Sequence, residues 1–148
     1  LIHYHGTPVT GTSHDKHRFL AGRHALVSFA HQDDMAVVAD ACQSFVLDNG
    51  AFTVWKKGGK LSEDAYYAWV SNWYKHPGFD WALIPDVIDG SELENDEMLK
   101  RWPKHLDNSG VPVWHTNESL ARLKRLCDRY TVVALGSSGE HSRPGSAV

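Results

Sequence analysis

Six short apolar runs recur along the chain, and each leads into a tight polar turn: Leu1–His5, Ala25–Phe29, Ser44–Asp48, Trp81–Asp86, Val111–His115 and Thr131–Leu135. They are β-branched or aromatic in character and nearly continuous in apolarity, the pattern of strands buried on both faces of a parallel sheet. Helical patterns separate them. Asp34 is placed to cap a helix with Met35, Val38 and Cys42 on its inner side. Ser62, followed by Glu63 and Asp64, opens another, along which Tyr66, Trp69, Val70 and Trp73 form a core stripe until Pro77-Gly78 ends it. Ser91 and Glu94 make a capping box for the stretch to Trp102. Leu120, Leu123, Cys127 and Tyr130 mark a further helix, opened by Thr116 or Asn117, with Arg122, Lys124, Arg125 and Arg129 on its outer face. The alternation predicts one α/β domain over residues 1–148 with parallel strands. An open doubly wound sheet and a closed (β/α)8 barrel both satisfy it, and both place function at the carboxyl ends of strands. No Gly-x-Gly-x-x-Gly follows the first strand and no Walker loop occurs, which disfavours a dinucleotide domain or a P-loop enzyme.

Composition narrows the class further. An apolar content of 42% with six tryptophans is that of a folded chain. The net charge of −3 gives no global attraction to a polynucleotide or an anionic membrane, although a local basic patch remains compatible with it. Cys42 and Cys127 form neither a CxxC pair nor a disulfide framework, so a reducing compartment is expected. With no signal peptide and no apolar run long enough to cross a bilayer, the expectation is a cytoplasmic protein without a membrane partner. The chain begins inside the run Leu1–Tyr4 without an initiator Met and stops at Val148 soon after a site-like loop. It therefore reads as part of a longer protein, truncated at both ends.

The strand-end turns carry the candidate chemistry. Asp48 follows Phe45-Val46-Leu47, where partial desolvation would favour its neutral form and suit proton transfer; it equally suits an Asx-type turn with Asn49-Gly50. Asp86 follows Ile84-Pro85. It is either a loop acid paired with a basic side chain or an acceptor of two parallel hydrogen bonds, as guanine offers through its ring N–H and exocyclic amine. Gly136-Ser137-Ser138-Gly139 is a turn able to aim several backbone N–H groups at one anion or carbonyl. Phe52, just past the Asp48 turn, is placed to lie over a flat base. Lys56-Lys57-Gly58-Gly59-Lys60 is either a solvated turn or a phosphate contact. His3, His5 and His115 support a competing reading, because His-x-His on one strand face serves metal-dependent barrel hydrolases.

At these loops the sequence resembles the tRNA-guanine transglycosylase superfamily, and most of all its shorter phage and bacterial members that act on DNA. Asp48-Asn49-Gly50-Ala51-Phe52 is similar to the family's Asp-Ser-Gly-Gly-(Phe/Tyr) turn. Ala134-Leu135-Gly136-Ser137-Ser138-Gly139-Glu140 resembles its Ala-Ile-Gly-Gly-x-x-Gly-Glu loop with a shorter middle, and His5-Gly6-Thr7-Pro8 its Gly-Thr turn after the first strand. Asp86 matches the acid at the fourth strand end, and Val113-Trp114-His115 falls where the family has a strand ending in a base-contacting Gln.

The resemblance implies an eight-stranded (β/α) barrel, of which this chain covers about six units, and exchange of guanine for a 7-deazaguanine in DNA or tRNA. It further implies that Asp48 manages the proton on the base, Phe52 stacks on it, and Asp86 reads its edge. The loop of Gly136, Ser137, Ser138 and Gly139 would bind the exocyclic oxygen, with His115 in the place of Gln. The family's nucleophilic Asp lies at the eighth strand, and its cysteine-rich zinc site lies nearby, further along the chain. The expectation is therefore a fragment without a cofactor and inactive alone, from a parent enzyme that would carry any zinc, with a homodimer possible. A non-catalytic nucleic-acid-binding module is the remaining alternative.

Overall fold

A computed structural model describes residues 1–56, 58–59 and 61–136 of the chain. It divides into two compact units, Leu1–Ala82 and Leu83–Val148. The class is α/β, as the alternation of runs requires.

The first unit runs β1 (Tyr4–Gly6), α1 (Ser13–Leu20), β2 (His24–Ser28), a 3-10 segment (Phe29–Asp34), α2 (Met35–Ala41), β3 (Ser44–Asp48), α3 (Ala51–Lys56), α4 (Glu63–Trp73) and β4 (Phe79–Leu83), whose last residue begins the second unit. Neighbouring strands are parallel, β1 with β2, β2 with β3 and β3 with β4. Phe45, Val46 and Leu47 of β3 are almost wholly buried, as a strand covered on both faces must be. Burial of such side chains contributes roughly 1.5–3 kcal/mol each. On one side Phe45 meets the rings of Trp73, His76 and Phe79. Tyr66, Trp69 and Val70 of α4 are buried as their spacing predicts, with Phe29 against both aromatic rings.

The strand openings are tied by side chains. Tyr4, His24 and Ser44 stand in register on three adjacent strands. Between the pairs Phe45↔Phe79 and Val46↔Trp81 the register shifts, leaving Asp80 as the extra residue. Its carboxylate accepts from the Tyr4 hydroxyl at 2.7 Å and from Ser44 Oγ at 2.5 Å. Because the Ser44 proton is spent on Asp80, Oγ accepts from His24 Nδ1 at 2.7 Å, which fixes that tautomer. Burial and the Asp80 carboxylate push the Tyr4 phenol up to about 12. Asp34 departs from its expected role. It occupies the position before α2, but its side chain makes no cap bond. Instead it is buried, pairing with Lys16 of α1 at 2.5 Å and accepting the Val9 N–H at 2.8 Å.

The second unit continues through α5 (Glu92–Arg101), a 3-10 segment (Lys104–Ser109), β5 (Gly110–Val111), β6 (Val113–His115), α6 (Leu120–Arg129) and β7 (Ala134–Gly136). The fifth apolar run forms two strands because Pro112 divides it. Val111 O accepts the Ile84 N–H at 2.8 Å, whereas Pro112 O accepts the Ala134 N–H at 2.9 Å. β6 and β7 are parallel, with His115 opposite Gly136. The capping box at Ser91 and Glu94 is formed as predicted. Ser119 caps α6, in place of the expected Thr116 or Asn117, because residues 115–118 close a turn in which Glu118 N–H reaches His115 O. In the first unit strand order follows chain order, β1-β2-β3-β4, and in the second β6 pairs with β7. Among the described residues no helix is long and apolar enough to cross a membrane.

The ladder at the strand openings generates a test. Ser44→Ala is expected to cost about 1 kcal/mol, a typical net value for lost hydrogen bonding, read as a lower urea midpoint at neutral pH. An unchanged midpoint would show that the ladder adds nothing to the register already set by the backbone.

Candidate functional site

The strand ends of the second unit hold a buried polar cluster built from the β4–α5 loop, the β6 end and α6. After β4 the chain passes through Ile84 and Pro85, both buried, and reaches Asp86. The loop then doubles back: Asp89 has φ 57, and a Cβ on Gly90 would collide with Val87 at 2.7 Å. Asn95 of α5 fixes this loop by accepting the Val87 N–H at 2.8 Å. Its amide nitrogen donates at 3.0 Å to Glu118, whose other oxygen accepts the His115 backbone N–H at 2.9 Å.

Arg122 closes the cluster. Its Nη1 bonds Glu118 at 2.5 Å and Val113 O at 3.1 Å, and its Nε bonds Asp96 at 2.9 Å. The side chain is 1% exposed, not on the outer face of α6 as the basic pattern predicts. A guanidinium so buried needs a paired, fully hydrogen-bonded setting, and Glu118, Asp96 and a strand carbonyl supply it. The i,i+4 spacing of Glu118 and Arg122 is visible in the sequence as a pair, but nothing in that spacing distinguishes a buried pair from a solvated one.

Within this frame Asp86 Oδ2 and His115 Nε2 lie 2.8 Å apart, both side chains at least nine-tenths buried. The hydrogen bond to Asp86 raises the His115 pKa above its ordinary value. Burial opposes this, the charges of Asp86 and Glu118 add to it, and that of Arg122 opposes it. With Nε2–H held on the carboxylate, Nδ1 is the nitrogen that gains or loses the proton. Among the described residues Nδ1 has no hydrogen-bond partner, and neither does the buried Thr116 Oγ1. Gly136 stands against this part of the ring: a Cβ there would sit 3.1 Å from Nδ1 and 2.9 Å from Val113 Cγ1. A carboxylate orienting an imidazole whose second nitrogen faces a glycine is an arrangement for proton exchange or for reading a polar edge. It also resembles the way proteins orient metal-binding histidines, but among the described residues no group of three or more His, Cys, Asp or Glu is placed to hold a metal ion.

The other predicted residues lie in the first unit or outside the described residues. Asp48 ends β3, and its Oδ2 accepts the Gly50 N–H at 3.0 Å, so the Asx-type turn is formed. Gly50 has φ 72, and a Cβ there would press on Ala30 N at 3.0 Å and Ser28 Oγ at 3.2 Å. Two constraints, backbone and space, thus demand glycine after Asn49. Phe52 is 48% exposed on α3, its ring 5.8 Å from that of Trp55. The rings of His3 and His5 are 4.6 Å apart, and His5 also meets Phe19 at 5.0 Å. Ser137, Ser138 and Gly139 lie outside the described residues, as do Lys57 and Lys60 of the basic loop. Asn95 and Glu118 escaped the sequence reading, and Arg122 entered it on the outer face of its helix, because their roles depend on burial, which a polar side chain does not advertise.

Removing the buried guanidinium leaves Glu118 uncompensated. Arg122→Met is therefore expected to destabilise the protein by about 3–5 kcal/mol in chemical denaturation. Arg125→Met, at an exposed pair with Asp96, should leave the midpoint nearly unchanged. Equal effects of the two would contradict the assignment. No family model, no curated protein and no solved structure matches this chain.

Proposed function

We propose that the second unit binds a guanine-like nucleobase at its strand ends, within an enzyme that exchanges guanine for a 7-deazaguanine in DNA or tRNA. One observation carries this reading. Asp86, His115 and Gly136, which the resemblance assigns separately to one base, are neighbours: Asp86 on His115 Nε2 at 2.8 Å, and Gly136 against Nδ1.

The chemistry suits the ligand. A carboxylate accepts from the ring N–H and the exocyclic amine of guanine, and these groups are retained in 7-deazaguanine. Adenine presents a lone pair where guanine has its ring N–H, so the same carboxylate repels it. In its protonated form His115 supplies an Nδ1–H donor for the exocyclic oxygen, and Gly136 lets a flat ring approach the main chain. Strand order supports the fold that accompanies this reading. A (β/α)8 barrel keeps its strands in chain order, as β1 to β4 of the first unit do, whereas a doubly wound sheet reverses at a switch point. The roles of Asp48 in proton handling and of Phe52 in stacking rest on the resemblance alone.

Titration of the protein with 7-deazaguanine and with adenine, followed by ligand-observed NMR, tests the reading. Saturable binding of 7-deazaguanine is expected, weakened at least about tenfold by Asp86→Asn, with adenine weaker by a similar factor, because an unpaired buried polar group penalises the wrong partner. Equal affinity for the two bases, or no binding of either, would overturn it.

A further inference from the structure

The base-reading role leaves one feature of the cluster unused. A contact to an exocyclic oxygen needs only a neutral donor, such as an amide. The residue present is an imidazole with a carboxylate on one nitrogen, and its other nitrogen is buried without a partner among the described residues. We propose that Asp86 and His115 act as an acid–base pair that moves a proton between His115 Nδ1 and the exocyclic oxygen of the bound base. This inference rests on the proposed base site and deepens it.

The step balances as a simple proton transfer. In the forward direction the Nδ1–H bond of the imidazolium breaks, and an O–H bond forms on the lone pair of the base oxygen. The imidazole becomes neutral, keeping its Nε2–H on the Asp86 carboxylate, which stays ionised throughout. The proton transfer itself breaks no bond to the sugar; it makes the base a better leaving group for the nucleophile that the resemblance places further along the chain, because a protonated ring system can receive the electron pair of the glycosidic bond. Reversal returns the proton when the incoming base attaches. Guanine has a ring nitrogen at position seven and 7-deazaguanine has carbon there, whereas both carry the exocyclic oxygen, which lies beside the ring N–H that Asp86 would read. An exchange of one for the other can rely only on an acceptor that both carry.

The surroundings fit the role. Among the described residues, the charged groups facing His115 are Asp86 at Nε2, Glu118 at its backbone N–H and Arg122 behind Glu118. The two acids favour the imidazolium and Arg122 opposes it, which keeps the ring titratable instead of locking it in one state. Gly136 is the register partner of His115 and adds no side chain against Nδ1. Any other residue there would put a Cβ within 3.1 Å of that nitrogen.

The test is an NMR titration of the 15N-histidine-labelled protein, alone and with 7-deazaguanine, with base binding read independently from the ligand signals. In the free protein neutral His115 is expected as the Nε2–H tautomer, titrating above the ordinary histidine value. With base present the Nδ1 resonance should move, and affinity should fall about tenfold per pH unit above the His115 titration point, as one coupled proton requires. His115→Gln should still bind base, but with that pH dependence flattened. A purely structural histidine would give the same tautomer without pH-dependent affinity. If base binds while Nδ1 and the pH profile stay unchanged, the acid–base role fails and the base site stands. If neutral His115 carries its proton on Nδ1, the role fails whatever the base does. If no base binds at any pH, both fail together.

Discussion

The buried guanidinium of Arg122 is the constraint on which the second unit depends. It cannot reach solvent, so its charge is met inside the protein by Glu118. The buried Glu118 side chain in turn fills its oxygens with donors, the Asn95 amide and the His115 backbone N–H. Asn95, turned this way, offers its carbonyl oxygen to Val87. One charge on α6 thus fixes two loops, the one that presents Asp86 and the one that ends in His115. Between them, Asp86 Oδ2 and His115 Nε2 meet at 2.8 Å.

The first unit uses a similar device for a different end. Asp34 is buried against Lys16 and the Val9 N–H, so a charge pair ties α1 to the segment before α2 and to the loop after β1. At the strand openings Asp80 gathers the Tyr4 and Ser44 hydroxyls. These groups sit at the amino ends of the parallel strands, the end that serves stability and seldom chemistry. Asp48 sits at the other end, where its turn with Gly50 is set by a left-handed backbone and by the nearness of Ala30.

Legibility in the sequence followed burial. The run Ser44–Asp48 is β3 residue for residue, since every side chain along it but the last is buried and no polar signal competes. The fourth run predicted a strand over Trp81–Asp86, yet β4 begins at Phe79, because the charged Asp80 masks a strand start that serves the Tyr4–Ser44 ladder. α1 was illegible: of its residues only Leu20 is buried, so no apolar period exists to be read, although Thr12 and Asp15 do form its capping box. α3 was hidden behind Asn49-Gly50, a turn signal that starts the helix instead of a loop. Asp86 and His115 were legible as strand-end polar residues. Their mutual bond was not, since it requires the loop geometry that Asn95 and Glu118 impose.

If the Arg122–Glu118 pair holds both loops rigid from behind, amide hydrogen exchange reads it directly. The two backbone N–H groups concerned, Val87 and His115, are bonded to side chains of that network. Both are predicted to exchange as slowly as the core amide of Leu126, and to accelerate together in Arg122→Met. Exchange of either at the rate of the exposed Asn117 amide, with Arg122 intact, would contradict this role for the pair.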